Sequence, residues 1–375
     1  MKMLIERKKE NRLTMKRKIA IIAGGDSSEH EVSLRSAQGI YSFLDKERYD
    51  VTIVVLRGKE WVAYPQAIQA GQTAEEYFAS SESCPMDKND FSFTRAGEKH
   101  TFDFAYVTIH GTPGENGVLQ GYLDLIGLPY SCCGVLAASI TFNKYACNHY
   151  LHGFGIRIAK SILLRNPEYR MMNEDHRMRI IDQVTNEIGL PCFIKSNVGG
   201  SSFGCTKAKT PESILPAIER AFEEGNEVIC ESYMKGTEVT CGVYKTKEKA
   251  VAFPITEVVT KNEFFDYDAK YRGQVDEITP ARIPDSVRDA IQAETLRIYD
   301  ILGCQGIIRV DWIITPNGDW SLKNGHWQGD RPDINLLEVN TTPGMTATSF
   351  IPQQVRAAGL DIKDVLADII EDHFN

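Results

Sequence analysis

Gly306-Ile-Ile-Arg-Val-Asp-Trp-Ile-Ile314 and Leu336-Leu-Glu-Val-Asn-Thr-Thr-Pro-Gly-Met345 are apolar runs that each carry two polar side chains two positions apart. Side chains alternate along an extended chain, so Arg309 shares a face with Asp311, and Glu338 with Asn340. Three hard oxygen donors and one guanidinium thus project from segments that otherwise read as core strands. An unpaired ion costs several kcal/mol to bury, whereas Mg²⁺ with a polyphosphate would neutralise the set. The competing account is two unrelated strands with exposed polar faces, and the remainder of the chain has to decide between them.

With 375 residues the chain exceeds one ordinary core, and roughly two or three domains are expected. A hydrophobic share of 42% and a charged share of 25% describe a soluble globular protein. The net charge of -9 argues against nucleic acid as the main partner but leaves room for small phosphorylated molecules in a local basic cleft. The nine cysteines contain no CxxC and no Cys/His cluster, so they read as reduced core residues of a cytoplasmic protein rather than a disulfide framework or a zinc site. No apolar run reaches the ~18 residues that would span a bilayer, and no signal-peptide segment is apparent. Residues 1–17 form a basic tail, expected to be disordered and excluded from the fold.

Lys18 to Ala23 reads as a strand, followed by Gly24-Gly25 and by Asp26, Ser27 and Ser28, which suit the cap of a helix from about Glu31 to Leu44. Further strands are expected at Tyr49–Leu56 and Phe102–Ile109. A parallel α/β domain over 18–133 follows, with ligands at the carboxyl ends of its strands. Those ends carry Glu29 and the loop His110-Gly-Thr-Pro-Gly-Glu-Asn-Gly117. Glu29 could pair with a ligand ammonium there. In a second region, 134–231, a strand ends at Lys195 and runs into Ser196-Asn-Val-Gly-Gly-Ser-Ser-Phe-Gly204, which offers N–H groups, hydroxyls and an ammonium to phosphate oxygens. Neither GxxxxGK(S/T) nor GxGxxG occurs, so the P-loop and dinucleotide-fold readings lack their fingerprints. The third region, 232–375, holds both opening strands and ends in a helix from Asp361, with Ile362, Val365, Leu366 and Ile369 on one stripe.

In order, Gly24-Gly-Asp-Ser-Ser-Glu-His-Glu-Val-Ser33, the loop from His110 to Gly121, Lys195 with Gly200-Ser-Ser-Phe-Gly204, Tyr267-Asp-Ala-Lys-Tyr271, Arg309-Val-Asp311 and Glu338 to Met345 resemble the D-alanine–D-alanine ligases, a family of ATP-grasp enzymes. The resemblance spans roughly residues 18 to 370. It implies a mixed α/β, three-domain ATP-grasp fold with a Rossmann-like N-terminal domain, and ATP-dependent ligation of two D-alanines through an acyl phosphate for peptidoglycan precursor synthesis. By the same resemblance, Lys144, Lys195 and Ser202 match phosphate-binding positions, and Glu231, Tyr233, Met234, Glu238, Lys270 and Leu337 match others around the nucleotide. Asp311, Glu338 and Asn340 match the ligands of two Mg²⁺ ions, with Mn²⁺ as a substitute. Glu29 and His110 match donor-substrate positions and Ser349 the acceptor's carboxylate partner. Arg309 and the Gly344 N–H match the stabilisers of the tetrahedral oxyanion, a role apart from the metals, and Ser201 and Tyr271 match hydroxyls linked to Glu29. Tyr271 also favours an amine over a hydroxy acid as acceptor. A homodimer is what the family implies.

Five positions depart from the family pattern: Ser196 for proline, Asn116 for aspartate, Phe142-Asn143 for Met-Asp, and Thr348 where histidine is frequent. Residues 315–334, between the two opening strands, are longer than a tight hairpin. An extended hairpin with surface tryptophans and a subunit contact both remain open for it. Two rivals stand beside the ligase reading. One is another ATP-grasp carboxylate–amine or D-alanine–D-lactate ligase; the other is a non-catalytic nucleotide-binding regulator, which would be expected to lose Arg309, Glu29 or a metal ligand.

Overall fold

The computed structural model describes residues 16–200, 204–260, 275–317, 321–323, 326–328 and 332–375. The expected disordered tail, but for its last two residues, lies outside that set, as do the candidate residues Ser201, Ser202, Lys270 and Tyr271.

The N-terminal sheet contains β1 (Arg17–Gly24), β2 (Tyr49–Arg57), β3 (Glu60–Tyr64), β4 (Cys84–Asp87), β5 (Ser92–Arg95), β6 (Glu98–His100) and β7 (Phe104–Val107), in the order β6-β5-β4-β3-β2-β1-β7. β1 is parallel to both β2 and β7, as the strand–helix alternation predicts. Beside these parallel strands, β3 to β6 add an antiparallel meander that the strand–helix alternation did not predict. Only Gly58 and Lys59 separate β2 from β3, and so short a connection returns the chain antiparallel, whereas a parallel return needs about a dozen residues. Gly58 takes a positive φ of 55° in that turn.

The middle sheet joins β8 (Ser161–Arg165), β9 (Cys192–Ser196), β10 (Thr206–Ala208) and β11 (Glu227–Ser232) in the antiparallel order β10-β9-β11-β8. The third sheet contains β12 (Thr237–Lys245), β13 (Ala250–Ala252), β14 (Thr256–Thr260), β15 (Val275–Ile278) and β16 (Ile307–Thr315). β17 (Ser321–Lys323) and β18 (His326–Gln328) pair with each other, and β19 (Asp333–Asn340) closes the third sheet in the order β15-β14-β12-β16-β19. Part of segment 315–334 is therefore a small antiparallel ribbon; its turn residues and the side chains of Trp320 and Trp327 lie outside the description.

Two cores bring the ends of the chain together. Helix His30–Phe43 and the C-terminal helices Phe350–Ala357 and Ile362–Asp372 share one cluster, in which Ile40, Val355, Leu366 and Ile370 meet Ile19, Ile21 and Phe104. The expected stripe of the last helix is thus buried on the first sheet, and Asp361 caps it by accepting the Lys363 N–H. Helix Asp285–Leu302 covers the other face of the third sheet, with Ile308, Val310 and Trp312 beneath it. Ala137, Cys147 and Leu151 from the two helices after residue 134 join the same core. Eight of the nine cysteines are buried and all nine are free. Among the described residues no helix is long and apolar enough to cross a membrane.

Helix His30–Phe43 starts one residue before the expected position. Its cap is Glu29, which makes no side-chain cap bond, while Ser27 Oγ accepts the Glu29 N–H at 3.2 Å. Gly39 is where this helix presses on the loop after β19: a Cβ there would lie 2.2 Å from the Met345 carbonyl oxygen. In an exposed helix Gly→Ala would stabilise by about 1 kcal/mol. Here Gly39→Ala should instead destabilise by about 1–3 kcal/mol through overpacking against backbone, read as a lower midpoint in urea with an unchanged m-value.

Candidate active site

β16 and β19 are antiparallel neighbours whose register places Asp311 opposite Glu338 and Arg309 opposite Asn340. The two polar pairs therefore form one four-membered cluster, and alternation sends Val310, Trp312 and Val339 to the apolar core on the other face. A bulge follows Asp311, which restores the inward direction of Leu336 beneath Trp312.

Asp311 is the centre of the cluster. Arg309 donates to it through Nε at 2.9 Å and Nη2 at 2.8 Å, Asn340 Nδ2 at 3.1 Å, and Thr240 Oγ1, across from β12, at 2.5 Å. The two-residue spacing along β16 lets the Arg309 guanidinium fork onto its neighbour's carboxylate. Burial opposes the arginine's charge, but Asp311, with Glu338 and Glu238 beyond it, outweighs that and raises its pKa. Two carboxylates and an amide oxygen on one face form the hard-donor set that suits Mg²⁺, with phosphate oxygens and water filling the other positions. Among the described residues no three His, Cys, Asp or Glu side chains cluster, so the amide is integral to that set.

Arg309, Glu338 and Asn340 line a cleft of about 640 Å³ that also reaches Glu29, His110, Lys144, Gly344 and Ser349, while Asp311 itself is buried. Glu29 comes from the turn after β1, and the Gly200 backbone lies against its carboxylate: a Cβ on Gly200 would sit 2.6 Å from Glu29 Oε2. The glycine in the phosphate-type loop thus permits the two domains to meet at the cleft. Lys144 opens a helix capped by Asn143, reaches Glu338 Oε2 at 3.8 Å and donates to the Gly199 carbonyl. Asn143 in place of aspartate keeps the cap and also donates to Glu227 Oε2 at 3.2 Å, where a second carboxylate would be repelled.

Lys195 and Glu231 stand on adjacent strands of the middle sheet and pair at 2.6 Å, both nearly buried. Desolvation acts to lower the lysine pKa, but Glu231 and then Glu338 outweigh it and raise it. Tyr233 and Met234 follow in the turn toward β12, and the ring of Tyr233 is covered by Lys207 Nζ at 3.9 Å. Glu238 on β12 and Leu337 at the β19 bulge border the third sheet. None of these six residues lines the 640 Å³ cleft itself.

At the other end, Ser349 is the N-cap of helix Phe350–Ala357, and its Oγ accepts the Thr346 N–H at 3.1 Å beside Gly344. Arg309 lies over the Phe350 ring at 5.3 Å. His110 is buried; its Nε2 is 3.5 Å from Ser36 Oγ, and its carbonyl accepts from Ser27 Oγ at 2.7 Å.

Two contributors to the site were given no role by the sequence. Thr240 grips Asp311, while Glu115 accepts the Gly111 N–H at 2.7 Å and the Thr342 hydroxyl at 2.6 Å, joining the His110 loop to the loop after β19. Glu115 stands within a quoted motif, so its position was visible; its partner, 227 residues away, was not. Desolvation, and then the nearby Glu29 charge, raise the Glu115 pKa against the lowering effect of His110 and the hydrogen bonds.

An ATP-grasp ligase is the class that this three-sheet fold and its acid–arginine cleft define. Family models described as the N-terminus and the C-terminus of D-ala D-ala ligase match residues 18–133 and 150–371. The chain belongs to the D-alanine–D-alanine ligase family. It is 61% identical over 360 residues to a D-alanine–D-alanine ligase of Bacteroides fragilis, and 59% identical over 360 to one of Phocaeicola vulgatus, covering 96% of this chain and all of each relative. Among solved structures it is similar to the VanG D-Ala:D-Ser ligase of Enterococcus faecalis, with TM-score 0.78, 29% identity and coverage of 96% and 100% of the two chains. The D-alanyl-alanine synthetase A of Vibrio cholerae gives TM-score 0.77 at 27% identity, with coverage of 96% and 99%. Enzymes of this family use ATP, generally with Mg²⁺.

Asp311→Ala should leave Arg309 buried without its main partner. We expect a loss of about 3 kcal/mol in stability together with loss of Mg²⁺-dependent nucleotide binding, measured by urea denaturation and by titration calorimetry with and without the metal. For Glu115, a folded-state pKa above its ordinary 4.5 means that its proton-linked stability is present at low pH and is lost as pH rises through the raised value. The stability of wild type relative to Glu115→Gln should therefore fall as pH climbs above 4.5; a pH-independent difference would contradict the shift.

Proposed function

We propose that this cleft binds ATP and two D-alanine molecules and joins them into D-alanyl-D-alanine, releasing ADP and phosphate, in cytoplasmic peptidoglycan precursor synthesis. The observation that carries the reading is the cross-strand set Arg309, Glu338 and Asn340, held on Asp311, in one cleft with Glu29 and Ser349.

The Glu29 carboxylate holds the ammonium of the first D-alanine, with His110 beside it, and aims that molecule's carboxylate at the γ-phosphate. Lys144, Lys195 and Ser202 hold phosphate oxygens, and Glu231, Tyr233, Met234, Glu238, Lys270 and Leu337 bind the rest of the nucleotide. Asp311, Glu338 and Asn340 would hold two Mg²⁺ ions, or Mn²⁺ in their place, which would supply positive charge against the polyphosphate. Attack by the donor carboxylate oxygen breaks the γ-phosphate bond to ADP and leaves an acyl phosphate. The second D-alanine, its carboxylate at Ser349 and the N-terminus of helix Phe350–Ala357, attacks the acyl carbon with its neutral amine. Arg309 and the Gly344 N–H stabilise the oxyanion; phosphate then departs and the amide remains. Ser201 and Tyr271 complete the hydroxyl link to Glu29 and exclude water from the acyl phosphate. In this reading Arg309 has two tasks, neutralising Asp311 in the free protein and stabilising the oxyanion during the reaction. The chain works in three lobes bounded near residues 133 and 231, as a homodimer.

The test is a coupled assay of phosphate release together with dipeptide detection. Turnover should require D-alanine and Mg²⁺, and D-lactate or D-serine offered as acceptor should compete poorly; equal turnover with L-alanine, or ATP cleavage with no dipeptide, would refute the assignment. Arg309→Ala should lower kcat by about 10²–10³ while nucleotide affinity in a binding titration changes little. Collapse of that affinity would remove its oxyanion role.

A further inference from the structure

β12 is paired unevenly. Along one edge it matches β16 from Thr237 to Tyr244, whereas on the other β14 covers Glu238 to Thr240 and β13 covers Val243 to Lys245. Between those two partners lies a gap in the ladder at Cys241 and Gly242, and a buried backbone N–H or C=O left unpaired there would cost about 1–3 kcal/mol.

Gln354, fully buried on helix Phe350–Ala357, fills the gap with its side-chain amide. Its Oε1 accepts the Gly242 N–H at 2.9 Å, and its Nε2 donates to the Thr240 carbonyl at 3.0 Å and to Thr256 Oγ1 at 3.1 Å. One primary amide thus replaces the N–H and C=O that a continuous neighbouring strand would have offered. Gly242 makes room for it, since a Cβ there would fall 2.7 Å from Gln354 Oε1 and 2.5 Å from Ile351 Cδ1.

The residues so gripped face the reacting centre. In the β12–β16 register Thr240 is opposite Asp311 and Gly242 is opposite Arg309, and the Thr240 hydroxyl itself donates to Asp311. The helix that carries Gln354 begins at Ser349, and its preceding residue, Gln353, donates to Glu277 Oε2 on β15. The helix capped by Ser349 is therefore tied through Gln354 to Thr240 and from the Thr240 hydroxyl to Asp311, while Gln354 itself does not line the cleft.

We infer that Gln354 is a positioning residue, locking the helix that starts at Ser349 to β12 so that the acceptor's amine is held at a fixed distance from the acyl carbon. The inference rests on the reading of Ser349 as the acceptor's carboxylate partner. Its physical basis is that a helix seated on a sheet by apolar contacts alone can slide by fractions of an ångström, whereas three directional bonds to one amide fix its height. A misplacement of about 1 Å between reacting groups costs up to about 10²-fold in rate.

Gln354→Met keeps the length of the side chain and removes all three bonds; Gln354→Glu keeps the acceptor toward Gly242 and loses both donations. The expected result for Gln354→Met is a KM for the second D-alanine raised about tenfold, a KM for ATP nearly unchanged, more ATP consumed than dipeptide formed, and faster hydrogen exchange at the Gly242 amide. Gln354→Glu should keep Gly242 protected better than Gln354→Met. Faster exchange at Gly242 with wild-type acceptor KM and coupling would overturn the inference, as would a proportional fall in every kinetic parameter that tracks a lowered melting temperature. Should neither variant fold, the wild type still decides: Gly242 must exchange as slowly as its β16-paired neighbours, and exchange at loop rates overturns the clasp. Wild-type protein that makes no dipeptide refutes the ligase reading and this inference with it, whereas normal wild-type turnover with an unaffected Gln354→Met refutes the inference alone.

Discussion

The bidentate pairing of Arg309 with Asp311, at 2.8 and 2.9 Å, is the interaction around which the rest of the site is arranged. Two ionised side chains on one strand are tolerable inside a protein only when every lone pair and every N–H is directed at a partner. Asn340 and Thr240 satisfy the remaining oxygen valences of Asp311, and Glu338 stands directly across the ladder. That requirement fixes the register of β16 against both β12 and β19, because a slip of one residue would send the charges into the core under helix Asp285–Leu302.

A cleft built this way must be closed by parts from elsewhere. The N-terminal sheet supplies Glu29 and the His110 loop; the middle sheet supplies Lys195 and the glycine loop that meets Glu29. The C-terminal helices return to the first sheet and bury Val355, Leu366 and Ile370 with Ile19 and Phe104. This return anchors the Ser349 helix to the domain that holds Glu29. Glu115 with Thr342, and Gly39 against Met345, are local ties of the same kind. Each joins segments more than 200 residues apart in sequence and ties the domain that holds Glu29 to the loop that precedes Ser349.

Gln354 shows how a polar core residue can serve geometry rather than stability alone. An apolar side chain would pack in that position, but it would leave the Gly242 N–H and the Thr240 carbonyl without partners at the point where β13 and β14 part. The amide meets that need and, because it belongs to the helix that begins at Ser349, ties the helix's height to the strand behind Arg309 and Asp311.

The sequence alone determined the periodic features and the ordered motifs. Two-residue spacing placed Arg309 with Asp311 and Glu338 with Asn340, apolar stripes placed the first and last helices, and six motifs in order carried the family. These were legible because strand alternation, helix periodicity and glycine turns are local rules. Tertiary structure alone decided that the two polar pairs are cross-strand neighbours, that Arg309 is forked onto Asp311, and that residues 60–100 fold as an antiparallel meander beside three parallel strands. Thr240, Glu115 and Gln354 escaped notice for one physical reason: a buried hydrogen-bonding side chain is defined by the backbone or carboxylate that it satisfies, and that partner arrives only when distant segments pack.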